Sequence, residues 1–231
     1  YLRKMKFILW LGCFLLSLSY SQSVDFRYSN IDKESLHAYA IKVASSSTLW
    51  LSEQIKTPRT NRYRLFIKYG QSLILKEINN KKWILPNLEF GVKPTDNLLL
   101  SGKFFGMHLD KDAPQVIGGG IHYITGENNN WTISFQKSAI NGLNDFRLVS
   151  TSFNIKKLVH QSFFDMYVDF GANYYISNSY YNSVDLPKKI ERDLNHIGLQ
   201  FLIPFNSLNI LISSKVSSEN HLIQAALIKG F

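Results

Sequence analysis

The feature that most constrains this chain is an alternation of apolar and polar side chains with a period of two. In segment 163–176, for example, Phe164 and Phe170 alternate with Asp165 and Asp169. Successive side chains of a β-strand point to opposite faces, so this period indicates strands with one apolar and one polar face. The same alternation recurs in segments 131–138, 194–203 and 208–216. The pattern predicts an all-β protein.

Turn residues divide the alternating region into about ten strands, many of them about nine to eleven residues long, the length that crosses a bilayer when tilted. Connections rich in Gly, Pro, Asn and Asp at 93–97, 126–129 and 204–206 suit antiparallel hairpins. All three fall on the same side of the sheet as Phe231, and the longest connection, 177–193, falls on the other. The predicted strands are 62–75, 84–92, 98–107, 117–125, 130–138, 146–155, 161–176, 194–203, 208–216 and 222–231.

Hydrophobic residues make up 45% of the chain, yet after the N-terminus there is no apolar run of the ~20 residues that a spanning helix needs. A closed barrel with an apolar outer face explains both facts, since closure pairs every backbone group. We therefore predict a transmembrane antiparallel up-and-down β-barrel over 62–231. Residues 22–61 form an N-terminal arm or a first hairpin, and a hairpin over 35–45 and 48–55 would raise the count to about twelve strands. The alternatives for this segment are a periplasmic arm and a short helix, because its apolar and polar residues alternate only weakly. A soluble β-sandwich or lipocalin-like barrel is the alternative fold.

Residues 1–21, which include a few residues upstream of the initiator, form a predicted signal peptide. Lys6 supplies the basic start, an apolar run follows at 7–18, and the small residues Ser19 and Ser21 complete the cleavage pattern. We expect cleavage after Ser21. The protein is then exported, with its mature chain beginning at residue 22.

The predicted mature chain contains no cysteine, because the single cysteine, Cys13, lies in the signal peptide. It therefore has no disulfide, thiol nucleophile or thiolate metal site. Loss of the three basic residues Arg3, Lys4 and Lys6 lowers the formal charge from +9 to +6. Such a mild charge on an exported protein does not predict a nucleic-acid partner.

The last strand carries a further pattern. Phe231 is the final residue, and the alternate positions before it include Ile223, Ala225 and Leu227. With the signal peptide and the amphipathic strands, the chain resembles bacterial outer-membrane β-barrel proteins of Gram-negative cells. In that family such a terminal strand is the signal for the barrel-assembly machinery, although Lys229 departs from the pattern. The resemblance implies Sec export, periplasmic chaperones, and an outer-membrane location in contact with lipid.

The polar face of the strands is predicted to line the lumen. A small barrel has little free interior, so its lumen is often filled by side chains, and charges there are expected to pair. The predicted lumen-lining residues are Arg64, Lys68, Glu89, Lys103, His122, Arg147, Asp165, Asp169, His196 and Lys215.

Little in the sequence predicts catalysis. The six histidines lack metal-ligand spacing, so we expect no metal site, and nothing indicates a cofactor. His122 and Ser134 fall on adjacent predicted strands, and a few outer-membrane barrels are lipid-acting enzymes with such a pair. No further motif accompanies them.

Three functions are compatible with these features. The first is a non-enzymatic barrel with a mostly occluded polar lumen, acting structurally or through outer loops that bind an unknown partner. The second is a passive diffusion channel of the porin type, in which the lumen charges set selectivity; the charges concerned are Lys103, Arg147, Lys215, Asp165 and Asp169. The third is a lipid-modifying outer-membrane enzyme that uses His122 and Ser134.

Overall fold

The computed structural model describes residues 24–28, 35–57, 63–109, 112–161 and 163–231. Within these ranges the chain forms a helix, a single 3₁₀ turn at Glu127–Asn129, and ten strands. The helix, α1, spans Leu36–Leu51, and the strands are β1 Leu65–Ile78, β2 Lys81–Thr95, β3 Leu98–Gly106, β4 Gln115–Thr125, β5 Trp131–Asn141, β6 Phe146–His160, β7 Asp165–Ser179, β8 Lys189–Phe205, β9 Leu208–Ser217 and β10 His221–Gly230.

The ten strands form one closed antiparallel barrel in which each strand pairs with its neighbours in sequence. Closure is made by β1 and β10, whose register runs from the pair Phe66–Gly230 to the pair Ile74–Leu222. The predicted all-β, up-and-down, ten-strand architecture is confirmed. The twelve-strand alternative is wrong, because the residues that it assigned to a further hairpin include all of α1.

Helix α1 begins with an ordinary capping residue, but protein surrounds its C-terminal half on all sides. The Ser35 hydroxyl accepts a hydrogen bond from the Ala38 amide at 3.3 Å, which caps the first turn. Its C-terminal half is buried on every side, including a run of serines. Those hydroxyls are satisfied inside the helix: Ser46 Oγ donates to Lys42 O at 2.6 Å and Ser47 Oγ to Val43 O at 2.8 Å. A helix buried all round lies within a core, and here that core is the interior of the barrel.

The two ends of the barrel differ in their connections. The Phe231 end, where β10 finishes and β1 begins, carries the connections 96–97, 126–130, 161–164 and 206–207. The opposite end, called the loop end, carries 79–80, 107–114, 142–145, 180–188 and 218–220. The three predicted tight connections thus lie at the Phe231 end, as expected. The longest connection is shorter than predicted, because β7 and β8 extend to Ser179 and Lys189.

The outer face of the barrel is mainly apolar and exposed, whereas a group of charged side chains points inward. Phe104 is 72% exposed, and Ile121 and Phe135, paired across β4 and β5, are 54% and 53% exposed. The inward side chains of Lys68 and Lys156 are fully buried. This distribution is the reverse of a soluble barrel, which buries its apolar residues and exposes its charges.

No helix within the described part of the chain combines the length and the apolar character that crossing a membrane requires.

The exposed apolar face predicts how the barrel responds to a new outward charge. Ile121→Lys should destabilise the barrel folded in lipid vesicles by about 2–4 kcal/mol, because a lysine near the bilayer midplane loses its hydration. Val184→Lys, in the 180–188 connection where the side chain is fully exposed, is the matched control and should change little. Urea unfolding followed by heat-modifiable gel migration measures both. An Ile121→Lys barrel as stable as the control would instead indicate that water covers this face.

Candidate functional site inside the barrel

A set of buried polar contacts surrounds the end of α1 and the residues that follow it. We call residues 51–57 the axial segment. Side chains from β1, β3, β5, β6 and β9 all hydrogen-bond to it. Because these strands are distributed around the whole circumference, the axial segment lies close to the centre of the barrel.

Two lysines bind the first half of the axial segment. Lys103 Nζ on β3 donates to the carbonyl of Leu51 at 2.8 Å and to the carbonyl of Glu53. Lys215 Nζ on β9 donates to Ser52 O at 2.8 Å and to Ser52 Oγ at 3.0 Å. These carbonyls belong to the last residue of α1 and the two residues after it, where a helix has no further amide to donate, so the wall lysines act as its C-terminal cap.

Two further lysines bind the next residue. Lys68 Nζ on β1 donates to Gln54 O at 3.2 Å, and Lys156 Nζ on β6 donates to the Gln54 side-chain Oε1. Gln136 Nε2 on β5 adds a bond to Leu51 O at 2.7 Å. We call Lys68, Lys103, Lys156 and Lys215 the lysine ring.

Three carboxylates accompany the lysine ring. Glu89 on β2 has its Oε1 3.0 Å from Lys68 Nζ and 3.4 Å from Lys103 Nζ. Glu53 of the axial segment lies 3.5 Å from Lys215, and Asp169 on β7 lies 3.9 Å from Lys156. All of these side chains are almost completely buried, so each charge depends on its partners, since an uncompensated buried charge is costly.

The loop end of the interior is apolar rather than charged. The ring of Phe26 packs against Trp83 at 4.9 Å between centroids, and Tyr28 stacks on Phe146 at 5.2 Å. The Tyr28 amide donates to Asp145 Oδ2 at 2.6 Å. Burial raises the pKa of the Tyr28 phenol above its ordinary value, so this group stays neutral.

The described parts of the N-terminal region therefore extend from one end of the barrel interior to the other. Residues 24–28 lie at the loop end, α1 leads inward, and the axial segment reaches the Phe231 end. There Lys56 Nζ lies 5.0 Å from the centroid of the Tyr167 ring. The cavity between the axial segment and the wall at this end has a volume of about 40 Å³, room for only a few water molecules.

Most of the predicted lumen-lining residues point into the barrel. Those buried inside are Lys68, Glu89, Lys103, His122, Asp169, His196 and Lys215. Asp165 lies at the rim of the Phe231 end, where its Oδ1 is 2.7 Å from Nδ1 of His160.

Two of the predicted lumen residues lie elsewhere. Arg64 precedes β1 and forms an exposed ion pair with Asp96 at 3.4 Å, so it belongs to the rim. Arg147 is exposed on the outer face of β6. The prediction took the apolar neighbours of Arg147 as outward-facing, but Phe146 and Leu148 point inward and pack in the apolar core near residues 24–28.

Several residues of the site were missing from the sequence prediction, among them Lys156, Glu53 and Gln54. Lys156 was excluded because the predicted strand ended at residue 155, whereas β6 continues to His160. Glu53 and Gln54 lie outside any strand, and no periodicity marks them. The one available signal was a run of polar residues, Ser52, Glu53 and Gln54, directly after an apolar segment.

The predicted pair of His122 and Ser134 is formed, but on the inner face. His122 Nδ1 lies 2.9 Å from Ser134 Oγ, and its Nε2 lies 2.7 Å from Ser101 Oγ. Both ring nitrogens are thus bonded to hydroxyls, whereas in a catalytic triad a carboxylate orients the ring. Both residues are buried inside the barrel, away from the apolar outer face, so this geometry does not favour the lipid-modifying alternative.

Two further observations concern the described residues. They contain no group of three or more His, Cys, Asp or Glu side chains that could hold a metal ion. On β10, the apolar residues of the predicted assembly pattern share the outer face; they are Ile223, Ala225 and Leu227, with Phe231 exposed beyond them.

No protein-family model matches the chain, and no curated protein matches it. Among solved structures, the KdgM porin in complex with disordered oligogalacturonate has a TM-score of 0.40 and 8% identity, with 72% of this chain and 99% of the porin covered. The β domain of the Bordetella autotransporter Brka has a TM-score of 0.42 and 10% identity, with 74% and 100% covered. The translocator domain of the autotransporter NalP from Neisseria meningitidis has a TM-score of 0.37 and 10% identity, with 84% and 97% covered. Scores at this level do not transfer a function to the chain.

The position of Glu89 between two lysines gives a stability prediction. Glu89→Gln should lower the free energy of unfolding by about 3–5 kcal/mol, because it removes the shared partner of two buried ammonium groups. Asp96→Asn, which breaks the exposed pair with Arg64, is the matched control and should have little effect. Urea titration of the folded barrel in detergent measures both variants. If the two variants unfold at the same urea concentration, Glu89 does not compensate the charges of Lys68 and Lys103.

Proposed function

We propose that the chain is an outer-membrane β-barrel protein whose lumen is occluded by its own N-terminal region, and that its role is structural or interactive rather than enzymatic. The observation that carries the proposal is the binding of the axial segment by the lysine ring. Four lysines from four strands hold the chain across the middle of the lumen, where a solute would have to pass.

The apolar outer face supports the outer-membrane location. Only helices and closed barrels satisfy the backbone in lipid, and this chain closes its barrel and exposes apolar side chains around it. Aromatic residues stand outward near the Phe231 end, including Phe90, Tyr123 and Trp131, as in the interfacial girdles of such barrels. The predicted signal peptide at 1–21 lies outside the described residues.

The packing inside the barrel supports an occluded lumen. Helix α1 fills the loop-end half, where Trp50 Nε1 donates to Pro86 O at 3.0 Å and the aromatic rings of residues 24–28 complete the core. Below it, the axial segment lies against the wall and leaves a cavity of about 40 Å³, which supports the proposal.

The proposed role is therefore carried by the surface of the protein. The 180–188 connection presents Tyr180 and Val184 to solvent at the loop end, which suits contact with a partner not yet identified. The other proposed partners are outer-membrane lipid along the outer face, periplasmic chaperones, and the assembly machinery at β10. Passive diffusion is the second candidate function, since charged residues line the wall behind the axial segment.

Conductance across a planar bilayer tests the occluded lumen. The full-length barrel should produce no steady channels, because the axial segment blocks the path. Insertion of the same protein preparation is verified in lipid vesicles, by heat-modifiable migration on gels and by resistance of the barrel to protease. Steady conductance steps from correctly inserted, unmodified protein would contradict the proposal and favour the diffusion channel.

A further inference from the structure

We infer that the lysine ring is an anion site that the chain fills with its own oxygen atoms, and that the barrel conducts anions when the axial segment leaves the lumen. The inference rests on the proposed function, since it takes the barrel as a membrane-spanning wall with an internal block. It adds the chemical class of solute that this wall selects.

The first support is the direction of the hydrogen bonds. In the contacts between the lysine ring and the axial segment, the wall donates and the segment accepts, through the carbonyls of residues 51–54 and the Gln54 side chain. Gln136 and Ser213 donate in the same sense, the latter to Glu53 Oε2 at 3.5 Å. A set of convergent donors around a central group of oxygens is the arrangement that binds carboxylates and other anions.

The second support is the balance of charge. The four lysines of the ring are accompanied in the wall by the two buried carboxylates Glu89 and Asp169, which leaves two positive charges in excess. While the segment is in place, Glu53 offsets one of these charges at 3.5 Å from Lys215, Lys56 adds one back, and the carbonyl dipoles of residues 51–54 face the lysines. Lys56 belongs to the segment itself, so it leaves together with it.

The third support is the polar inner face beside the ring. The Asn154 side chain is fully buried next to the lumen, and neither its amide nitrogen nor its oxygen has a hydrogen-bond partner in the described chain. Buried polar groups without partners are uncommon in native proteins. This residue therefore fits a wall that also serves a hydrated state, in which rings of charged side chains select ions.

The test releases the axial segment from the lumen without changing the charge of that segment. Ala44 lies fully buried in α1, so Ala44→Trp in the full-length chain overpacks the helix against the wall. Release is followed by trypsin cleavage after Lys42 and Lys56, which lie on the internal segment. Urea is raised, where needed, until this cleavage is complete while the heat-modifiable band still reports a folded barrel.

The opened barrel should conduct and should prefer chloride to potassium, with a reversal potential displaced toward the chloride equilibrium potential in a KCl gradient. A matched pair of variants tests whether the lysine ring causes this preference. The two substitutions are Lys156→Gln and Lys157→Gln, each made in the Ala44→Trp chain. Lys156 faces the lumen, whereas Lys157 is exposed on the outer face with its Nζ 5.2 Å from the Trp131 ring centroid. Lys156→Gln should lower the chloride preference severalfold, and Lys157→Gln should leave it unchanged.

Two results overturn the inference in a folded barrel that trypsin has fully cleaved after Lys42 and Lys56. The first is the absence of conductance, and the second is conductance that prefers cations. Equal selectivity in the two glutamine variants would overturn it as well. These outcomes are distinct from failure of the proposed function, which appears as steady conductance of the unmodified chain.

Discussion

The interior of this barrel depends on one electrostatic constraint: four wall lysines have left water, and each ammonium group needs acceptors. Moving an ion from water into a protein interior costs several kcal/mol even after relaxation, so the acceptors must be close and well placed. Glu89 and Asp169 supply some of them, and residues 51–54 supply the others. This requirement fixes the depth of the axial segment and, with it, the point at which α1 ends.

The inner face of the wall changes character along the barrel to match what fills it. At the loop end, Trp83, Phe146 and Tyr175 point inward and pack with α1 and residues 24–28. At the level of the axial segment the inward residues are charged or amide-bearing. Toward the Phe231 end they become apolar again around Ile55, which packs in a cluster with Phe66 and Leu202. The outer face is mainly apolar along most of the barrel, with exposed charges such as Arg147 and Lys157 toward the strand ends.

This layering explains how far the sequence could predict the structure. The period of two gave the strands, their antiparallel order and the outward apolar face, because alternation follows directly from strand geometry. It failed where both faces are apolar, so Arg147 was placed on the wrong side. It left α1 undecided between a hairpin, an arm and a short helix, because the apolar and hydroxyl residues of its buried C-terminal half carry little amphipathic signal. The partners of the lysine ring depend on long-range contacts that no local pattern encodes.

Solvent access to the axial segment tests the central claim most directly. A single cysteine is placed at Ser52, whose side chain is buried at the centre of the barrel, in a chain that carries Cys13→Ser. Ser218→Cys, at an exposed position of the loop end, is the reference. A water-soluble maleimide should label the reference quickly and leave Ser52→Cys unlabelled until the barrel unfolds. Labelling of both positions at similar rates in the folded barrel would show that the lysine ring does not hold the segment in the lumen.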